Sequence, residues 1–207
     1  MRFVRFLLLS LWACSSVIRA EMPDYRIFPA EGARLLLWVA SERGRAEPEL
    51  QAAQQLADQG VETWSLDLAS AYFLPQLASS MDAVPPRDLR DWLRAAQARD
   101  KQVVVYAVSR AAVPVLRAAA ALEPTERERL CVLLMYPNLY TVVEPLAEPD
   151  FVVAGSLAGL RVHVLQPRRS AATPWLPGVL GHLARQGAAT SHVILENLRE
   201  GYWARET

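Results

Sequence analysis

The chain has 207 residues, and 52% of them are hydrophobic, which is enough to bury one folded core. Its 22 basic and 22 acidic residues balance to a formal net charge of +0 at pH 7. This composition argues against a disordered chain. The absence of a Lys/Arg block beyond the first residues argues against a nucleic-acid-binding protein.

The first twenty residues, MRFVRFLLLSLWACSSVIRA, have the pattern of a secretory signal peptide. Arg2 and Arg5 precede an apolar run from Phe6 to Ala13, and the small residue Ala20 offers a cleavage site. The apolar run is shorter than the roughly 20 residues that a membrane-spanning helix needs. We therefore predict export, most simply to a periplasm, with a single mature domain over residues 21–207.

A second route of export stays open at Leu11–Cys14. The sequence LWAC resembles a bacterial lipobox, in which lipidation of the cysteine anchors the mature protein to a membrane. Trp12 fits that pattern poorly because the position usually holds a small residue, so cleavage after Ala20 is favoured. The alternative is a membrane-anchored lipoprotein attached through Cys14.

Cleavage after Ala20 changes both the charge and the cysteine content. It removes three arginines and no acid, which leaves a formal charge of −3. Cys131 is then the one remaining cysteine, so no intramolecular disulfide can form. Because Cys131 opens the apolar run CVLLMYP, we expect an unreactive thiol in the core.

Strand-like and helical runs alternate along the rest of the chain. The predicted strands are RLLLWVA (34–40), VETWSLDL (61–68), QVVVYAV (102–108), CVLLMYP (131–137), LRVHVLQP (160–167) and SHVILENL (191–198). The predicted helices cover 47–60, 85–100, 110–122 and 173–187. Strands joined by such helices form right-handed crossovers and a parallel sheet covered on both faces. We therefore predict a three-layer α/β sandwich with a mainly parallel sheet of about six to seven strands.

A serine stands between the third predicted strand and its helix. The sequence from Ala107 to Ala111 is AVSRA, and small residues flank Ser109 on both sides. This placement, with the element order from Arg34 onward, resembles the α/β-hydrolase superfamily. The family's nucleophile elbow reads Gly-x-Ser-x-Gly on a sharp strand-to-helix turn. The resemblance implies that Ser109 occupies the nucleophile position, with alanine in place of both glycines.

The other members of the family's Ser–acid–His triad are missing from their usual places. The resemblance implies an acid after LRVHVLQP, where the chain has Arg168, Arg169 and Ser170. It implies a histidine after the last strand, where the chain reads REGYWARET. The histidines at other positions are His163, His182 and His192. Since an activated serine needs a base that a carboxylate orients, the sequence predicts a degenerate site.

Other groups could supply parts of a site at the carboxyl edge of the sheet. The resemblance implies an oxyanion hole from the amide of Arg110 and from the loop Ser41–Pro48, in which Gly44 could let the backbone turn inward. Of the carboxylates near strand ends, Glu144 is the best alternative acid, although it has no histidine to orient. The full set is Asp67, Glu144, Glu148, Asp150, Glu196 and Glu200.

No cluster of His, Cys, Asp or Glu in the sequence has metal-ligand spacing, and the sequence contains no Gly-rich phosphate loop. We therefore expect neither a metal nor a cofactor.

The first functional hypothesis is a non-catalytic, envelope-associated protein that binds a small ligand or another envelope protein at this edge of the sheet. Packing of the loop aromatics against the sheet is an open alternative for the same residues. The residues available there are Tyr72, Phe73, Ser109, Arg110, Tyr136, Asn138, Tyr140, Arg168, Arg169, Tyr202 and Trp203.

The second hypothesis is an active serine esterase that uses Ser109 with a non-standard base. Residues 106–140 are weakly similar to periplasmic virulence proteins of the VirJ type, which are lipid-directed serine hydrolases. That resemblance would imply an aminoacyl-phospholipid or another ester as the substrate. It covers about thirty-five residues and does not restore the missing histidine. The first hypothesis is therefore favoured.

Overall fold

The computed structural model describes residues 24–141 and 150–200. The strands are β1 (Asp24–Phe28), β2 (Arg34–Val39), β3 (Val61–Asp67), β4 (Gln102–Val108), β5 (Cys131–Met135), β6 (Arg161–Arg169) and β7 (Ala189–Arg199). The α-helices are α1 (Glu47–Asp58), α2 (Leu68–Ala71), α3 (Pro86–Gln97), α4 (Ala112–Ala120), α5 (Pro124–Glu128) and α6 (Leu176–Arg185). Short 3-10 helices cover Ala78–Ala83, Ser109–Ala111 and Thr173–Trp175. The predicted signal peptide, Cys14, Glu144, Glu148, Tyr202 and Trp203 lie outside the described residues.

The seven strands form one sheet in the order β1-β3-β2-β4-β5-β6-β7. All neighbouring strands are parallel except β1, which runs antiparallel to β3. This confirms the predicted α/β fold class with a mainly parallel sheet.

β1 was not predicted from the sequence, because DYRIF is a five-residue edge strand that has several exposed side chains and no long apolar run. The predicted helix 110–122 is shorter, since a 3-10 turn precedes α4.

One face of the sheet carries the main core. Side chains at alternate positions of the central strands point to it and are at most 4% exposed: Leu35, Leu37, Val103, Val105, Val132, Leu134, Val162 and Val164. Helices α3, α4 and α6 cover this face with apolar side chains such as Leu93, Leu116 and Leu183. Burial on this face supplies the largest share of the hydrophobic stabilisation.

The opposite face is covered less completely. Glu49 of α1 lies beside the Trp38 side chain of β2, which places α1 over this face. Trp38 in turn packs edge-on against Tyr106 of β4, with ring centroids 5.0 Å apart. Further along the sheet, Leu133 and Leu165 are half-buried. In the described part of the chain, no helix is both long and apolar enough to cross a membrane.

The difference between the two faces can be tested on neighbouring residues of β5. Leu134 is fully buried on the main-core face, whereas Leu133 is half-buried on the other. We expect Leu134→Ala to lower the free energy of unfolding by about 2–5 kcal/mol, because it leaves a cavity. Leu133→Ala should cost clearly less. Urea denaturation of both variants measures this, and equal losses would mean that Leu133 is as well covered in solution as Leu134.

Candidate functional site

Ser109 lies on a sharp turn at the carboxyl end of β4. Its φ is +53°, in the left-handed region that side chains other than glycine rarely adopt. The 3-10 turn Ser109–Ala111 then leads directly into α4. The amide of Asn138 donates to the Ser109 carbonyl at 3.1 Å, which ties the turn to the segment after β5. Such a conformation costs about 1–3 kcal/mol and persists because its surroundings hold it.

A carboxylate lies directly against this turn. The Ser109 hydroxyl donates to Glu42 Oε1 at 3.1 Å, and the Arg110 amide donates to Glu42 Oε2 at 3.2 Å. In the nucleophile elbow that the sequence resembles, the serine hydroxyl attacks the substrate and the amide after it binds an oxyanion. One carboxylate of the chain therefore engages both functional groups of the turn.

The loop after β2 holds Glu42 in this place. The Gly44 amide donates to the Ser41 carbonyl at 3.0 Å and closes a turn around Glu42. Asp67, at the end of β3, accepts from the Arg45 amide at 2.9 Å and from the Ser70 amide at 2.9 Å. Gly44 has φ +79°, and a Cβ there would lie 3.2 Å from Asp67 Oδ2, so glycine suits this close approach.

The side chain of Arg110 is buried and fully engaged. Its guanidinium forms a bidentate pair with Asp82 at 3.0 and 2.6 Å, and it also donates to the backbone carbonyls of Asn138 and Tyr140. These contacts join the Ser109 turn, the 3-10 helix that contains Asp82 and the loop after β5. The guanidinium positions these segments and is not free to bind a ligand.

A cavity of about 300 Å³ opens beside Ser109. Its wall consists of Ser109, Tyr136, Pro137, Asn138, Tyr140, Ala171, Ala172, Trp175 and Glu200. Tyr136, like Ser109, has a positive φ, here +35°. Burial raises the pKa of Tyr140, and its hydroxyl has no hydrogen-bond partner among the described residues. Strained backbone is frequent at functional sites, so two such residues at one cavity support this location.

A second carboxylate reaches the same cavity from the end of β7. Glu200 Oε2 accepts from the Ser170 hydroxyl at 2.8 Å, and Ser170 is 8% exposed. These residues follow the two strands after which the family resemblance implies an acid and a histidine. The chain has a serine and a glutamate there, and Glu200 shares a cavity wall with Ser109.

The histidines lie elsewhere. His182 of α6 is buried, contacts the Val152 carbonyl through Nε2 at 2.9 Å and stacks on Phe151. His163 Nδ1 hydrogen-bonds to the Ser191 hydroxyl, and His192 is exposed on β7. No histidine of residues 24–141 or 150–200 belongs to the wall of the Ser109 cavity. Each described histidine has a position that packing or solvation explains.

The structure separates the remaining candidates from one another. Tyr136 lies in the cavity wall with Ser109. Ser41 is buried, and its hydroxyl accepts from the Arg43 amide at 3.3 Å. Gly44 lines a different cavity, of about 560 Å³, with the exposed Phe73. Arg168 is exposed and pairs with Glu196 at 2.6 Å, while Tyr202 lies outside the described residues.

Sequence reasoning missed Glu42 and Trp175 as parts of the site. Glu42 follows the first predicted strand of the parallel series, so its position at the carboxyl edge was readable. Its contact with Ser109 was not readable, because the contact depends on the turn that Gly44 and Asp67 shape. Trp175 belongs to a 3-10 turn before α6, which the sequence did not distinguish from the helix.

The comparisons with known proteins identify the fold. No protein-family model matches the sequence, and no curated protein matches it. Among solved structures, a carboxylesterase from Mesorhizobium loti is similar with a TM-score of 0.57 and 18% identity, over 84% of this chain and 85% of that one. Esterase PE8 is similar with a TM-score of 0.58 and 12% identity, over 86% of this chain and 90% of that one. The dienelactone hydrolase-like promiscuous phosphotriesterase P91 from metagenomic libraries has a TM-score of 0.55 and 13% identity, over 84% of this chain and 74% of that one. The chain has the α/β-hydrolase fold.

The role of Asp82 can be tested by removing its charge. Asp82→Asn leaves the Arg110 guanidinium, 5% exposed, without a compensating charge. We expect a loss of about 2 kcal/mol in the free energy of unfolding, below the roughly 3–5 kcal/mol of a fully buried pair because Asp82 is itself 33% exposed. The control is Glu196→Gln in the exposed pair with Arg168, which should leave the urea midpoint unchanged. An unchanged midpoint for Asp82→Asn as well would contradict the positioning role of Arg110.

Proposed function

We propose that the protein is an exported, non-catalytic binding protein on an α/β-hydrolase fold, with its ligand site in the cavity beside Ser109. The observation that carries this proposal is the double contact of Glu42 with the Ser109 hydroxyl and the Arg110 amide. The export part of the proposal rests on the first twenty residues. A periplasmic location is favoured, with a lipid anchor at Cys14 as the alternative.

The base that contacts Ser109 is weak for its task. A carboxylate is a weaker base than an imidazole by about two pKa units, or about 3 kcal/mol in the transfer of a serine proton. Enzymes of the triad type also use the base a second time, as an acid that protonates the leaving group. A carboxylate takes up the serine proton less readily than an imidazole, and it must hold that proton before it can pass it to the leaving group.

The same carboxylate opposes the transition state of acyl transfer. Negative charge develops on the oxygen that the Arg110 amide would bind, and Glu42 already places a negative charge at that amide. Two like charges at this separation repel each other strongly in a partly buried site. Unless Glu42 itself takes up the serine proton and becomes neutral, reaction at Ser109 would require Glu42 to leave the turn. The resting geometry suits binding better than acyl transfer.

The second candidate is an active serine esterase in which Glu42 is the non-standard base. The 3.1 Å contact between Ser109 Oγ and Glu42 Oε1 favours it, since a base must reach the proton that it removes. The esterase names of similar structures and the weak VirJ resemblance point in the same direction. Under this candidate an ester, of a lipid or of a smaller alcohol, would occupy the cavity.

The reactivity of Ser109 separates the two candidates. We expect no labelling of the purified protein by a fluorophosphonate probe and no hydrolysis of short-chain p-nitrophenyl esters above the level of Ser109→Ala. The reason is that residual catalysis without a triad falls several orders of magnitude below that of an intact one. Ser109→Ala should fold normally, and urea denaturation of both proteins checks this.

Labelling of the wild type but not of Ser109→Ala would overturn the non-catalytic proposal. In that event Glu42→Gln identifies the base: loss of labelling in this variant would assign the role to Glu42. A serine esterase with an intact triad, treated with the same probe, is the positive control.

A further inference from the structure

We propose that the cavity beside Ser109 binds an organic cation, such as a quaternary ammonium or a protonated amine. This inference rests on the proposed binding function and specifies the chemistry of its ligand. It follows from the groups that meet at the cavity, which are aromatic rings, carboxylates and hydroxyls. In the described part of the chain, no lysine, arginine or histidine belongs to the cavity wall.

Three aromatic rings reach the cavity from different segments. Tyr136 follows β5, Tyr140 lies in the loop behind it, and Trp175 belongs to the 3-10 turn before α6. Tyr136 is held in a strained conformation, whereas Trp175 remains 50% exposed and accessible to a ligand. The face of an aromatic ring carries negative electrostatic potential, so a cation that lies over any one of these rings is attracted to it.

The charges beside the cavity have the same sign. Glu200 lies in the wall, and Glu42 touches Ser109, which also lies in the wall. Within residues 24–141 and 150–200, neither carboxylate forms an ion pair; Glu200 bonds to the neutral Ser170 hydroxyl. Asp82, by contrast, is neutralised by Arg110. A cation would gain attraction from both unpaired carboxylates, and an anion would be repelled by both.

The hydroxyl of Ser109 also suits this ligand class. Its proton points to Glu42, so its lone pairs are available to accept from an N–H group or to face a positive charge. The volume of about 300 Å³ fits a compact head group. A neighbouring cavity of about 400 Å³ shares Asn138 and Tyr140 with the first and has room for an uncharged remainder of the ligand.

The test compares molecules that differ in charge and little in shape. Isothermal titration calorimetry of the purified protein with choline, 3,3-dimethylbutan-1-ol and 3,3-dimethylbutanoate provides a cation, its neutral carbon isostere and an anion. We expect choline to bind at least about tenfold more tightly than the neutral isostere, and the anion to bind least.

Three variants connect this preference to the cavity. Glu200→Gln should weaken choline binding by about threefold to tenfold and leave the binding of the neutral isostere unchanged. Trp175→Leu should weaken choline binding by a similar factor, because leucine keeps bulk but loses the ring. Glu196→Gln removes an exposed carboxylate of β7 that lies outside the cavity wall, and this variant should bind choline as the wild type does.

The cation preference and the non-catalytic function can be overturned independently of each other. Equal or tighter binding of the alcohol or of the carboxylate would overturn the cation preference and leave a binding protein. Absence of binding by all three molecules, or choline binding that Glu200→Gln and Trp175→Leu leave intact, would also overturn it. Fluorophosphonate labelling of Ser109 would overturn the non-catalytic function whatever choline does.

Discussion

Ser109, at the end of β4, has a left-handed backbone conformation and turns the chain from this central strand into α4 within three residues. The turn directs the Ser109 hydroxyl and the Arg110 amide toward the carboxyl edge of the sheet. It also directs the Arg110 side chain into the protein, where the guanidinium hydrogen-bonds to Asp82 and to two backbone carbonyls. The loop after β5, the 3-10 helix at Ala78–Ala83 and the loop after β2 are all arranged around this one conformation.

The fold was largely predictable from the sequence, because apolar runs and helical periodicity are local signals. The strands later seen as β2 to β7 are long enough to show those signals, and Ala107 and Ala111 marked a turn with little room for side chains. β1 is too short and too exposed to show a comparable pattern. The sequence alone therefore predicts Ser109 at a turn.

The groups around Ser109 were predictable only in part. The sequence itself shows that no histidine follows the last strand, where the family places one. The contact of Glu42 with Ser109 was not predictable, because it depends on the turn that the Gly44 amide closes to the Ser41 carbonyl and on the carboxylate of Asp67 at another strand end. The partnership of Ser170 with Glu200 similarly joins residues thirty positions apart. Such contacts are decided by tertiary geometry, to which local sequence rules do not extend.

The position of β7 has a consequence for the motions of the protein. Among the described strands, β7 pairs with β6 alone, at the edge of the sheet, and none of its side chains is fully buried. Regions with few buried apolar contacts open first in native-state hydrogen exchange. A local opening of β7 would carry Glu200 away from Ser170 while the Ser109 turn, which is anchored in the central strands, keeps its shape. One wall of the cavity therefore adjoins an edge strand that opens at a lower free-energy cost than the central strands, and a ligand can enter there without unfolding of the core.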